Sequence, residues 1–115
     1  MAEKPGDVER LGHVLKAINK ILNYTEAKGF EDFLTNEMMQ DAVIKNYEVI
    51  GEAIYHISKQ LKEKYTHIEW KKIEGLRHVL VHDYYKVSPE ILWQTKELYL
   101  EDLQVDIEEI LLKES

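Results

Sequence analysis

Apolar residues recur at helical spacing along nearly the whole chain, and this periodicity constrains its fold more than any other feature. Val8, Leu11, Leu15, Ile18 and Leu22 step by three and four and form one face of a first helix. Asp7, after Pro5-Gly6, is the expected N-cap. Ala27-Lys28-Gly29 interrupts the pattern, with Gly29 available for a left-handed C-terminal turn. A short helical turn over 30–34 then tucks Phe30 and Phe33 against the core.

The second stripe is the longest. Met39, Val43, Asn46, Ile50, Ala53, Ile57 and Leu61 predict one helix capped by Thr35 or Asn36. Gly51 inside it costs about 1 kcal/mol relative to Ala, which points to a tight helix crossing there. Thr66-His67-Ile68-Glu69 has the capping-box pattern and is expected to open a third helix. That helix turns Trp70, Ile73, Leu76 and Leu80 inward and runs to about Val81. Ser88-Pro89-Glu90 opens a fourth, with Ser as cap and Pro at the first helical position. Its main stripe is Trp93, Leu100, Leu103, Ile107 and Ile110; Ile91, Leu98 and Val105 form a second apolar face, a sign of self-association. With no strand-like alternation and only short connections, the chain reads as all-α. It is expected to form four main helices in an up-down bundle, a single domain over 1–115 with its core at about 8–112.

Composition narrows the chemistry. There are no cysteines, so disulfides, Cys-ligated zinc and thiol catalysis are excluded. No secretory h-region and no membrane-length apolar run is present, so a soluble, cytoplasmic protein is expected. The net charge of −7 argues against a general nucleic-acid binder. The charge is uneven, however. Residues 56–78 carry six Lys/Arg against three Glu, whereas residues 90–115 carry eight acids against two Lys. Either block reads as a solvated helix face or, for the first, as a local attractor of phosphate.

The chemistry-bearing segment is Arg77-His78-Val79-Leu80-Val81-His82-Asp83-Tyr84. Arg77 is one of two arginines among 15 basic residues, and a guanidinium suits bidentate phosphate recognition. Histidine suits proton transfer near neutral pH, which singles out His82. Positions 77 and 82 lie roughly 140° apart on an ideal helix. Their convergence needs either a helix that ends near Val81 or a second copy of the chain. His78 and His82 have metal-ligand spacing, but no third ligand is evident beside them and no metal or other cofactor is expected. Glu52 has two readings, as a carboxylate that orients Arg77 or as a core-facing structural group. Asn46 reads as a buried, hydrogen-bonded residue or as a bond across a dimer. His13, His56 and His67 read as surface or capping residues, and Tyr47, Tyr55, Tyr65, Tyr85 and Tyr99 as bundle packing.

Arg77, His82 and Tyr84 resemble the R-x-x-x-x-H-x-Y signature of HEPN-domain toxins, in particular the HepT-like family. Trp70, Ile73, Gly75-Leu76, Val87 and Trp93 around it, and Val49-Ile50-Gly51-Glu52-Ala53 with Asp41-Ala42-Val43, are similar to that family's other stretches, over about residues 8–110. One departure is His78, where the family commonly has a small polar residue. The resemblance implies a metal-independent endoribonuclease, the toxin of a type VII-like toxin–antitoxin pair. It implies a homodimer with two motifs facing across the interface, with His82 moving protons and Arg77 stabilising phosphoryl charge. The implied partners are an RNA substrate, such as tRNA or mRNA, and a minimal nucleotidyltransferase antitoxin (MNT) that transfers AMP onto the motif tyrosine, here Tyr84. His78 and Glu52 are possible supporting residues. Two other readings stand beside it. One is a non-catalytic helical dimer that binds a nucleotidyltransferase and a nucleotide or phosphate; the other is a metal-binding helical protein built on His78 and His82.

Overall fold

A computed structural model describes residues 5–115 and, at Tyr84, the backbone alone. Among the described residues there is no strand, as the periodicity predicts. The elements are α1 (Asp7–Tyr24), α2 (Phe30–Leu34), α3 (Glu37–Tyr55), α4 (Lys59–Lys64), α5 (Trp70–His82), a 3-10 turn (Tyr84–Lys86), α6 (Pro89–Thr95), a π-helical segment (Lys96–Leu100) and α7 (Glu101–Glu114). The last three run on without a break, so α1, α3, α5 and this C-terminal helix are the four main elements. No helix among the described residues is long and apolar enough to cross a membrane.

The first stripe is corrected in part: Leu11 and Ile18 are buried, Leu15 and Leu22 only partly and Val8 is exposed, while Val14 and Ile21 complete the core face of α1. Leu11, Val14, Ile18 and Ile21 of α1 face Val43, Ile50 and Ile54 of α3 and Ile107 and Ile110 of α7, all at most 2% exposed. Each such side chain contributes about 1.5–3 kcal/mol by leaving water. α1 packs between α3 and α7, whereas α5 packs principally on α3. The helix that carries the motif is therefore at an edge of the bundle.

Local details follow the sequence in some places. Asn36 Oδ1 accepts from the Met39 N–H at 3.0 Å and Ser88 Oγ from the Ile91 N–H at 3.2 Å, so both caps are made. The Phe30 and Phe33 rings lie 6.2 and 5.3 Å from Trp93, which seats α2 on α6. Buried Asn46 donates to its own helix, Nδ2 to Ala42 O at 2.8 Å. Tyr47, deeply buried, donates to Leu92 O at 3.1 Å and ties α3 to α6.

Five other expectations are corrected. The second stripe is two helices, because Ser58 stops α3 from continuing and caps α4. Its N–H donates to Asp7 Oδ1 at 2.9 Å and its hydroxyl to Oδ2 at 2.5 Å. Asp7 is thereby spent on a contact 51 residues away, and Gly6 takes the N-cap position of α1. Gly29 is not left-handed; it caps α2 with φ −101°, and Ala27 takes the left-handed turn at φ 58°. The Thr66–Glu69 pattern forms a turn rather than a helix start. Buried Tyr65 and Ile68 anchor it, Tyr65 O accepts the Trp70 indole N–H at 3.0 Å, and α5 begins at Trp70. Finally, Tyr55, Tyr85 and Tyr99 are more than half exposed and do not pack the bundle, unlike Tyr47 and Tyr65.

Candidate active site

The site begins with a missing side chain. A Cβ built on Gly51 would lie 2.1 Å from Arg77 Cβ and 3.1 Å from Arg77 Cα. Only glycine lets α3 and α5 approach this closely, and the residue it admits is the motif arginine. The next residue of α3, Glu52, then meets the guanidinium. Arg77 Nη2 lies 2.6 Å from Glu52 Oε2 and Nε donates to the same oxygen at 2.8 Å. Tyr55, one turn further along α3, places its ring 5.4 Å from the guanidinium carbon. His56 Nε2 sits 3.0 Å from the other Glu52 oxygen. Hydrogen bonds from His56 and from Arg77 hold the Glu52 carboxyl below the usual carboxylate range.

Glu52 is half exposed and bonded to Arg77, so it is not a core-facing group. A guanidinium has five N–H donors. Glu52 occupies two, and among the described residues no other acceptor takes the rest. The result is a fixed cation, about a quarter exposed, with donors left for a ligand.

His82 is the last residue of α5 and is exposed. Its ring centroid lies 4.7 Å from that of His78, one turn back. Asp83 closes the helix by donating its N–H to Val79 O at 2.7 Å. Because the helix runs through His82, an early helix end cannot bring His82 round to Arg77. The two remain about 140° apart on one helix. Within one chain, Arg77 is drawn to Glu52 while the His82 ring lies tilted against that of His78. Among the described residues no group of three His, Asp or Glu is arranged to hold a metal ion. Tyr84 opens the 3-10 turn two residues after His82; its side chain lies outside what the structure describes.

Two grooves flank the helix. One, about 320 Å³, lies along the α1–α3 seam and ends at Arg77 and Val81, with Arg10, His13 and Lys45 on its walls. Neither Arg10 nor Lys45 stands out in the sequence, although Arg10 is the chain's only other arginine. No motif ties Tyr55 and His56 to Arg77 either. The signal that could have found them is their +3 and +4 spacing from Glu52. The other groove, about 390 Å³, separates α5 from the C-terminal helix over an apolar floor of Ile50, Ile73, Leu76 and Leu103.

The Glu52 contact has a pH signature. Its carboxyl titrates lower in the folded chain than in the unfolded one, so its stabilisation is present above the ordinary carboxylate pKa and lost as pH falls through the lower folded value. Thermal melts should therefore show Glu52→Gln less stable than wild type at neutral pH, with the gap closing below about pH 4. A gap that is constant with pH would contradict the contact.

Residues 14–110 match the family model described as ribonuclease HepT-like. A protein of Caldanaerobacter subterraneus that carries the name "putative RNase" is 33% identical over 104 residues, which cover 90% of this chain and 93% of that one. A "probable ribonuclease HepT" of Thermococcus cleftensis is 36% identical over 85 residues, 74% of this chain and 77% of that one. A "gamma-glutamylcyclotransferase and putative RNase" of Methanocaldococcus jannaschii is 37% identical over 101 residues, 88% of this chain. The matched part spans 46% of that longer protein. No solved structure matches the chain.

Proposed function

Because the chain belongs to the ribonuclease HepT-like family, we propose that it is a metal-independent endoribonuclease, the toxin of a toxin–antitoxin pair, whose site is built from Arg77 and His82. The observation that carries this reading is the held guanidinium. Glu52 and Tyr55 fix Arg77 in place while leaving donors unspent, as electrostatic stabilisation of a phosphoryl group requires.

In the proposed reaction the 2′-oxygen of the RNA attacks the adjacent phosphorus. The O2′–P bond forms and the P–O5′ bond breaks, giving a 2′,3′-cyclic phosphate and a 5′-hydroxyl. His82 takes the 2′-hydroxyl proton and delivers a proton to the leaving 5′-oxygen. Arg77 neutralises charge that builds on the non-bridging oxygens. The nucleophile belongs to the substrate, so the scheme needs no metal. Since Arg77 and His82 of one chain diverge, a second copy brings its His82 towards Arg77. The edge position of α5 and the apolar floor beside it suit such an approach.

The proposal extends to regulation at Tyr84. An MNT-type nucleotidyltransferase that adds AMP to Tyr84 would place a bulky anion beside the motif. The anion would compete for Arg77 and block phosphate entry. The excess of 22 acidic over 15 basic residues favours one other reading, a dimer that binds a nucleotidyltransferase and a nucleotide without cleaving RNA.

One experiment separates them. The chain is expressed without a nucleotidyltransferase and shown by intact mass to be unmodified at Tyr84. It is then incubated with tRNA and an unstructured RNA in excess EDTA. The wild type is expected to cleave, leaving cyclic-phosphate ends. Arg77→Ala and His82→Ala are each expected to lose about 10²–10⁴-fold in rate. A folded, unmodified dimer that cleaves neither RNA would move the assignment to the binding module.

A further inference from the structure

We propose that the groove walled by Arg10, His13 and Lys45 is an RNA subsite, holding a backbone phosphate next to the one that Arg77 binds. This rests on the ribonuclease reading of Arg77 and extends it to the length of RNA recognised.

Charge gives the first indication. In a chain of net charge −7 both arginines line this one groove, and Lys45 lines it with them. Six lysines elsewhere are committed to carboxylates: Lys59, Lys62, Lys64, Lys72, Lys86 and Lys96. Arg10 and Lys45 make no such pair among the described residues, although Glu48 lines the same groove. Glu52, the other carboxylate there, is already held by Arg77 and His56. Three cations thus face two carboxylates, one of them engaged, where the chain as a whole is strongly acidic.

The layout suits an extended ligand. Lys45 and Glu52 are seven residues apart on α3, so their backbones stand about 10 Å apart along the seam. Arg10 and His13, three residues apart on α1, form the facing wall. A cleft of about 320 Å³ exceeds a lone phosphate and sits at the lower end of ligand-sized clefts. Its walls belong to the two helices that share most of the core, so the backbones that carry these cations are fixed before RNA arrives. His13 adds a ring that can donate to a phosphate oxygen or accept from a 2′-hydroxyl.

The test uses the full chain and a fluorescein-labelled, fully 2′-O-methylated RNA oligomer, in which the nucleophile is blocked and binding is read without cleavage. Arg10→Ala, Lys45→Ala and the double variant are compared with Lys20→Ala, which removes one exposed charge of α1 outside the groove. Melting temperatures confirm that all are folded. Kd should rise about 5–30-fold for each groove substitution, and the log–log salt slope between about 50 and about 200 mM should flatten by about 0.7 per cation removed. On cleavable RNA, KM should rise while kcat stays within about threefold. Lys20→Ala should match wild type.

A double variant with unchanged Kd and salt slope overturns the subsite. If wild type cleaves RNA and the groove variants cleave it with unchanged KM, the subsite fails and the ribonuclease stands. If wild type cleaves nothing but binds the oligomer in a way these substitutions weaken, the subsite stands and the ribonuclease reading fails.

Discussion

Gly51→Ala lowers stability by about 1–3 kcal/mol and costs more activity than the loss of stability accounts for. Alanine is the better helix former by about 1 kcal/mol, so on propensity alone the substitution would stabilise α3. The crossing decides the sign. The new methyl would meet Arg77 Cβ at 2.1 Å, Cγ at 2.9 Å and Cα at 3.1 Å. Two of these atoms are fixed to the backbone of α5, so no rotamer change relieves them and α5 must shift away from α3. That shift moves Arg77 relative to Glu52 and Tyr55, which is why activity is lost from the folded population as well. Gly75→Ala is the matched control. It lies within α5, where an added methyl would meet nothing within 4 Å, and should gain about 0.5–1 kcal/mol. Urea unfolding of both variants checks the pair. If Gly51→Ala is stabilising like Gly75→Ala, the close crossing is wrong.

Much of this was legible in the sequence because helix periodicity is a local signal. The first helix with Leu11 and Ile18 on its buried face, the caps at Asn36 and Ser88 and the short helix at 30–34 all depend on neighbours within a turn or two. Gly51 was also readable, since a glycine that weakens a long helix needs a reason. The misreadings share one cause: distant groups outbid local ones. Asp7 looked like the cap of its own helix and instead serves Ser58, which splits the second stripe in two. Thr66 looked like a cap, but the Trp70 indole bound to Tyr65 O sets where α5 begins. The π-helical segment at Lys96–Leu100 has no local signal; Lys96 folds over the Trp93 ring at 3.8 Å within it. At the site, sequence singled out Arg77, His82 and Glu52 and left open whether Glu52 served the arginine. It could not show Tyr55 beneath the guanidinium or Arg10 across the seam, because those depend on how α1, α3 and α5 pack.

The second large effect concerns how many chains make one site. Arg77 and His82 leave the same helix about 140° apart, and α5 continues through His82. A site that uses both therefore takes the arginine from one chain and the histidine from another. In a two-fold dimer each substitution alone damages both sites, so Arg77→Ala and His82→Ala are each inactive. A mixed dimer of the two differs. One composite site loses both groups and the other keeps both, because its arginine comes from the His82→Ala chain and its histidine from the Arg77→Ala chain. Random exchange makes half of the dimers mixed, so about a quarter of wild-type activity should return.

The measurement that tests this account most directly is RNA cleavage, in excess EDTA, by Arg77→Ala and His82→Ala chains refolded together from denaturant. Two inactive parents whose mixture recovers about a quarter of the wild-type rate would support a ribonuclease site completed across two chains. A mixture as inactive as its parents, beside a refolded wild type that cleaves, would contradict it.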